Sequence, residues 1–101
     1  MESILTHDDN HCFECGRYIG PGTRHIHHVI EGNGRRGWSE KFGLKIPLCL
    51  YCNRTAHDSN RQLLNKWKII AQTEWESRYA PTNDSDHAEW RKYFGKSYLE
   101  D

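Results

Sequence analysis

The sequence predicts an α+β fold, a small zinc-stapled core with additional C-terminal helices, and three observations predict it. Cys12-Phe-Glu-Cys15 and Cys49-Leu-Tyr-Cys52 are two Cys-x-x-Cys pairs, a spacing that lets both sulfurs of a pair face one tetrahedral Zn²⁺. Between the pairs lie short β-prone runs, the first carrying three histidines in Arg24-His25-Ile26-His27-His28-Val29-Ile30. After Cys52 the pattern turns helical, with Leu64, Trp67, Ala71 and Trp75 repeating at amphipathic-helix spacing. A chain of 101 residues with 36% apolar content has room for one domain and a modest core. A metal staple suits a core of that size. The whole chain is read as one domain: a flexible N-terminus over 1–10, a zinc-bracketed core over 11–60 and C-terminal helices over 61–101.

Met1 to Asn10 is polar and acidic, anchored only by Ile4 and Leu5, and is expected to fray. Cys12 to Cys15 forms the first knuckle, with Gly16 where a tight turn needs a permissive backbone. Gly20-Pro21-Gly22 is a turn, and His25 to Ile30 reads as a strand. Gly32-Asn33-Gly34-Arg35-Arg36-Gly37 reads as a glycine-rich loop, free to approach a ligand. Ser39 to Phe42 suits a short helical turn before Gly43. Leu44 to Leu48 reads as a second strand, with Pro47 tolerable only at an edge.

Asn53 and His57, four apart, would share a helix face. A long helix is expected from about Arg61 to Tyr79, with Pro81 just beyond it. Asp86 and Glu89 have capping-box spacing for a last helix through Phe94, stopped by Gly95. Trp67, Trp75, Trp90, Tyr93 and Phe94 fall at helical spacing and are expected in the core rather than as base-stacking platforms.

No apolar stretch is long enough for a signal peptide or a membrane span. A cytoplasmic location is therefore expected, where paired cysteines bind zinc more readily than they form disulfides. Two disulfides in a small secreted protein is the alternative. Net charge is zero, yet residues 17–68 hold ten Lys/Arg against Glu31, Glu40 and Asp58, a net +7 balanced by −7 on the flanks. A basic centre around the candidate site suits a polyanion, nucleic acid above all. Arg35, Arg36, Lys41 and Lys45 are the candidate phosphate contacts, or otherwise a solvated surface.

The ordered set of Cys-x-x-Cys, His27-His28 and Leu48-Cys49-x-x-Cys52-x-x-x-x-His57 resembles the HNH (ββα-metal) endonucleases. More narrowly, His27-His28-Val29 followed by Ser39-Glu-Lys-Phe-Gly-Leu-Lys-Ile-Pro-Leu-Cys49 is similar to small phage and prophage members. Those are related to the RecA-dependent nuclease of recombination enhancement. The resemblance spans roughly Cys12 to Trp75, and the tail Tyr93 to Leu99 also looks like the ending of such phage proteins. It implies a ββα-metal core in which His27 binds the catalytic metal and His28 is the general base. Asn53, directly after the last Cys, and His57 would be further ligands of that metal. The family's central Asn, expected about five residues before Cys49, is absent; Leu44 stands there. The hairpin bracing that this Asn performs then falls to Asn33 or Ser39. DNA is the implied partner, double-stranded or a recombination or packaging intermediate, in the host cytoplasm if the chain is phage-encoded.

The chemistry that these implied roles require can be stated in general terms. Phosphodiester hydrolysis needs an activated water, neutralised phosphate charge and a stabilised departing 3′ oxygen. A divalent ion on His27, Asn53 and His57 would leave open positions for phosphate oxygens. That donor set accepts Mg²⁺ or Mn²⁺, and also Zn²⁺ or Ni²⁺. A neutral imidazole at His28 can take a proton from water, and strand alternation sends it to the other side from His27. His25 shares the parity of His27 and would be the substitute ligand, a packing role being the simpler reading. Cys12, Cys15, Cys49 and Cys52 form a closed set, which is structural rather than catalytic. Glu31 and Glu40 receive no role. The competing function is a zinc-ribbon-like nucleic-acid or protein binding module; a redox dithiol protein lacks the βαβ pattern that would support it.

Overall fold

The structure is a computed structural model that describes residues 3–30, 35–57, 61–80 and 87–99. Over the described residues it is a small α+β fold built from a two-stranded sheet and four helices. Strand β1 (His25–His28) leads through helix α1 (Arg35–Phe42) to strand β2 (Lys45–Leu48). Helices α2 (Leu50–His57), α3 (Arg61–Tyr79) and α4 (Ala88–Phe94) follow. The strands pair antiparallel, with His27 opposite Ile46 and His28 opposite Lys45. Successive strand residues face opposite ways, so the sheet offers two faces, and helices cover both. His27 turns to α3, its ring 5.2 Å from that of Trp67. His28 turns to α1, where it meets Glu40.

The long helix runs over the span that its apolar period predicts, and Trp67, Ala71 and Trp75 are buried along it. Trp90 and Phe94 are buried as well, with Tyr93 packed against them. These rings form one aromatic cluster between α1, α3 and α4. Trp75 lies 5.5 Å from Trp90 and 5.6 Å from Phe42, and Trp38 lies 4.9 Å from Tyr93. The expected core role of these aromatics is therefore what the packing displays.

Three local expectations are corrected. The glycine-rich loop ends earlier: Arg35, Arg36 and Gly37 form the first turn of α1, while residues 32–34 lie outside the described residues. Trp38 and Phe42, one turn apart and stacked at 5.9 Å, dock on α4, and this packing outweighs the low helix propensity of Gly37. The N-terminal stretch is tied down from Ser3 on. Ser3 Oγ donates to Lys45 O at 2.6 Å and Ile4 N donates to Gly43 O at 3.0 Å. Asp86 of the supposed capping box lies outside the described residues. The cap position of α4 is held by His87, in the left-handed region at φ 57.

Helix α1 stops where it does because Gly43 adopts φ 72. Leu44 N bonds Ser39 O at 2.8 Å and Gly43 N bonds Glu40 O at 3.4 Å, the paired closure that follows a left-handed glycine. That ending fixes Ser39 and Glu40 against the end of β1. Ser39, fully buried, donates from Oγ to Ile30 O at 2.7 Å and accepts from Ile30 N at 3.1 Å. Val29 N adds a bond to Leu44 O at 2.9 Å. So the bracing expected of Asn33 or Ser39 is performed by Ser39, with Asn33 outside the described residues. Leu44 fills the core instead.

At the far end, Arg35 Nε donates to Phe94 O at 2.6 Å and ties α1 to α4. Gly95 ends α4 at φ 82, and a Cβ there would collide with the Arg35 guanidinium. Among the described residues no helix is long and apolar enough to cross a membrane.

Candidate functional site

The first knuckle is a tight hairpin. A bridge pairs His11 with Tyr18, Cys12 N donates to Arg17 O at 2.8 Å, and Gly16, at φ 80, bonds back to Cys12 O at 2.9 Å. Phe13 N reaches Pro47 O at 2.8 Å, which docks the knuckle on the outer edge of β2. That edge is where a proline, lacking an N–H, costs no ladder bond. Glu14 fastens the same knuckle to α3. Its carboxylate accepts from Trp67 Nε1 and from Lys66 Nζ, each at 2.8 Å.

The second knuckle starts α2. Asn53 N bonds Cys49 O at 3.0 Å as the first turn of the helix, and Cys52 N points at Cys49 Sγ at 3.4 Å. The sulfur of Cys49 thus takes the capping place that a Ser or Asp oxygen usually holds.

The two knuckles bring Cys12, Cys15, Cys49 and Cys52 together, their sulfurs all within 4.8 Å of one another and three of the four residues buried. Cys15 and Cys49 are 3.8 Å apart at sulfur, and no disulfide joins any of the four. A tetrahedron with Zn–S of about 2.3 Å has sulfur–sulfur edges of about 3.8 Å. The quartet therefore fits a tetrahedral metal site of the kind that holds structural zinc. Its electrostatics agree. Burial raises the Cys12 thiol, but backbone N–H groups of Cys15, Cys49 and Glu14 outweigh it and bring it down to about 7. Burial, with the neighbouring sulfurs, pushes the Cys52 thiol up instead. A cation at the centre of the four sulfurs would offset the mutual repulsion of their thiolates.

The histidine strand divides as its alternation requires. His27 is 5% exposed and packs on Trp67. His28 lies on the other face, with Nε2 2.8 Å from Glu40 Oε1, and Glu40 Oε2 accepts from Lys45 Nζ at 2.9 Å. His25, half-buried, stands opposite Leu48. Asn53 and His57 sit four apart on α2. The His57 side chain is outside the described residues, so its approach to His27 is not defined.

The candidate phosphate contacts scatter. Lys41 is exposed, with Nζ 5.2 Å from the Trp38 ring centre. Lys45 is only 6% exposed and is held by Glu40, and Arg35 is spent on Phe94 O. The Arg36 side chain is outside the described residues. An open cavity of about 680 Å³ borders Glu40, Lys41 and Lys45, with Thr6, His7 and Tyr79 on its other walls.

Glu40 is the residue that sequence reasoning missed. Hydrogen bonds from His28 and Lys45 hold its carboxyl at about 2, well below the usual carboxylate range. The signal for it was three-dimensional: only the β1–β2 register sets Lys45 across from His28, and only the stop at Gly43 delivers Glu40 between them. Set against protein-family models, curated proteins and solved structures, the chain finds no match in any of the three.

Proposed function

We propose that the chain is a zinc-stapled, divalent-metal-dependent endonuclease of the HNH type, hydrolysing phosphodiester bonds in DNA. One observation carries this reading. An antiparallel strand pair runs directly into α2, the cysteine quartet pins that junction, and Ser39 braces the end of β1. His27 and His28 are thereby displayed on opposite faces of a strand fixed at both ends. In this scheme Cys12, Cys15, Cys49 and Cys52 hold a structural Zn²⁺. His27, Asn53 and His57 would hold the catalytic Mg²⁺ or Mn²⁺, which when bound would supply charge neutralisation at the phosphate. Water adds to phosphorus and gives its proton to His28. The P–O3′ bond breaks, and the 3′ oxygen leaves and takes a proton from solvent, so charge and protons balance.

The competing function is a zinc-held binding module without catalysis. In its favour, the cysteine quartet is the one His/Cys/Asp/Glu cluster with ligand geometry among the described residues. Plasmid nicking with Mg²⁺ or Mn²⁺ decides between the two. The nuclease requires cleavage by the zinc-loaded chain and a loss of ~10²–10⁴-fold in His28→Ala, the usual worth of a general base. A wild-type chain that binds DNA and cuts no form of it is the binding module.

A further inference from the structure

We propose that Glu40, held by Lys45, is the positioning residue of His28: it fixes the imidazole as the Nε2–H tautomer and leaves Nδ1 as the proton-accepting atom. The inference deepens the nuclease reading and rests on it for its catalytic consequence, though not for its geometry.

The geometry begins with the sheet. Residues directly opposite in an antiparallel pair share a face, so His28 and Lys45, opposite in the register, project side by side toward α1. Without a third group this would set a buried ammonium beside the imidazole with no acceptor between them. Glu40 interposes a carboxylate that meets both, Oε1 on His28 Nε2 at 2.8 Å and Oε2 on Lys45 Nζ at 2.9 Å. An ionised carboxylate has no proton to donate. The hydrogen on the His28–Glu40 contact therefore belongs to Nε2, and a neutral ring carries its lone pair on Nδ1. When Nδ1 accepts a proton from water, the imidazolium formed is stabilised by the carboxylate already in place.

Lys45 keeps Glu40 from turning away. The carboxylate is 60% exposed while the lysine is 8% exposed at its side chain, so the lysine is the fixed member and the carboxylate is drawn to it. Ser39, the preceding residue, is locked to both backbone groups of Ile30, which limits how far α1 can shift relative to His28.

A merely structural pair and a positioning carboxylate differ in the ring. The test is long-range ¹H–¹⁵N correlation of the histidine rings in the full zinc-loaded chain, beside steady-state nicking. Lys45→Met keeps the carboxylate and the buried stem but removes the tie on Oε2, so the Nε2–H pattern at His28 should persist only in part, between the wild type and the variant that follows. Glu40→Ala combined with Lys45→Met removes the carboxylate without stranding a buried ammonium, so the fold is retained. There the His28 nitrogens should move to tautomer-averaged shifts. In that double variant kcat should fall about 10-fold or more relative to Lys45→Met, the order found for partners that orient metal-ligating histidines, with KM nearly unchanged. An unaltered Nε2–H pattern overturns the assignment. So does a changed pattern with unchanged kcat, which makes Glu40 structural only. The ring spectrum decides on Glu40 whether or not the wild type cleaves, and absence of cleavage in the wild type overturns the nuclease reading by itself.

Discussion

Gln72→Leu should loosen the C-terminal clasp of the domain and leave the sheet intact. Gln72 is fully buried on the long helix and spends its amide on three bonds. Nε2 donates to Glu76 Oε2 at 2.9 Å and to Ser97 Oγ at 3.0 Å, while Oε1 accepts from Tyr98 N at 2.7 Å. Two of these hold the segment after α4, which packs Tyr98 on the core. Leucine has nearly the same volume, so no cavity opens and the loss is that of the bonds. At about 1 kcal/mol net for each, the cost is roughly 2–3 kcal/mol. For a domain of this size each kcal/mol moves the melting temperature by about 4–8 °C, so a fall of about 10–20 °C is expected. Thermal unfolding of the zinc-saturated protein by circular dichroism reads the total. Hydrogen exchange locates it, with α4 and residues 97–99 expected to lose protection and β1 and β2 to keep theirs. A fall of less than about 3 °C, the scale of an ordinary surface substitution, would refute the claim that Gln72 is the tie.

Two further outcomes are expected. The Glu40 carboxyl is held at about 2 by hydrogen bonds from His28 and Lys45, below its unfolded value. The stability it lends is thus fully present above the unfolded value, erodes as pH falls from there, and is gone once pH has fallen through about 2. Its side-chain ¹³C shift should stay flat from pH 7 to about 4.5, whereas a midpoint near the model-peptide value of about 4.3 would show that the bonds are not made. Lys41→Ala should lower the salt dependence of DNA binding by about one phosphate contact on any sequence. Lys45→Met should leave that slope alone, because its ammonium is turned inward to Glu40; filter binding across salt concentrations measures both.

Much of the fold was legible in the sequence, for reasons visible in particular residues. The α3 stripe of Leu64, Trp67, Ala71 and Trp75 had a single period and no competing signal, so its span was readable to the residue. The cysteine quartet was legible because Cys-x-x-Cys spacing is a local property that fixes where sulfurs can point. Arg35 to Gly37 were misread because glycine punctuates local structure, while what makes them helical is Trp38 and Phe42 against Tyr93, over fifty residues later. Gln72 passed unnoticed because it flanks the apolar stripe and its partners, Ser97 and Tyr98, lie 25 and 26 residues away. Glu40 needed three separate elements to meet. In the candidate site, the residues fixed by spacing were found and the one fixed by tertiary register was not.

The most direct measurement is metal content coupled to fold. Among the described residues the first knuckle reaches the sheet through the backbone bond from Phe13 to Pro47, reaches α3 through Glu14, and lays Ile19 and Phe13 on the core; the sulfurs join it to the second knuckle. Binding of structural zinc is worth about 10–16 kcal/mol in small sites, of the same order as the whole stability of a domain this size. The purified chain should carry one tightly bound zinc. Chelation, or Cys49→Ser, should remove it together with the near-ultraviolet dichroism of the packed tryptophans. A chain with no stoichiometric metal, or one whose tertiary signal survives chelation unchanged, would contradict the claim that the four cysteines hold this fold together.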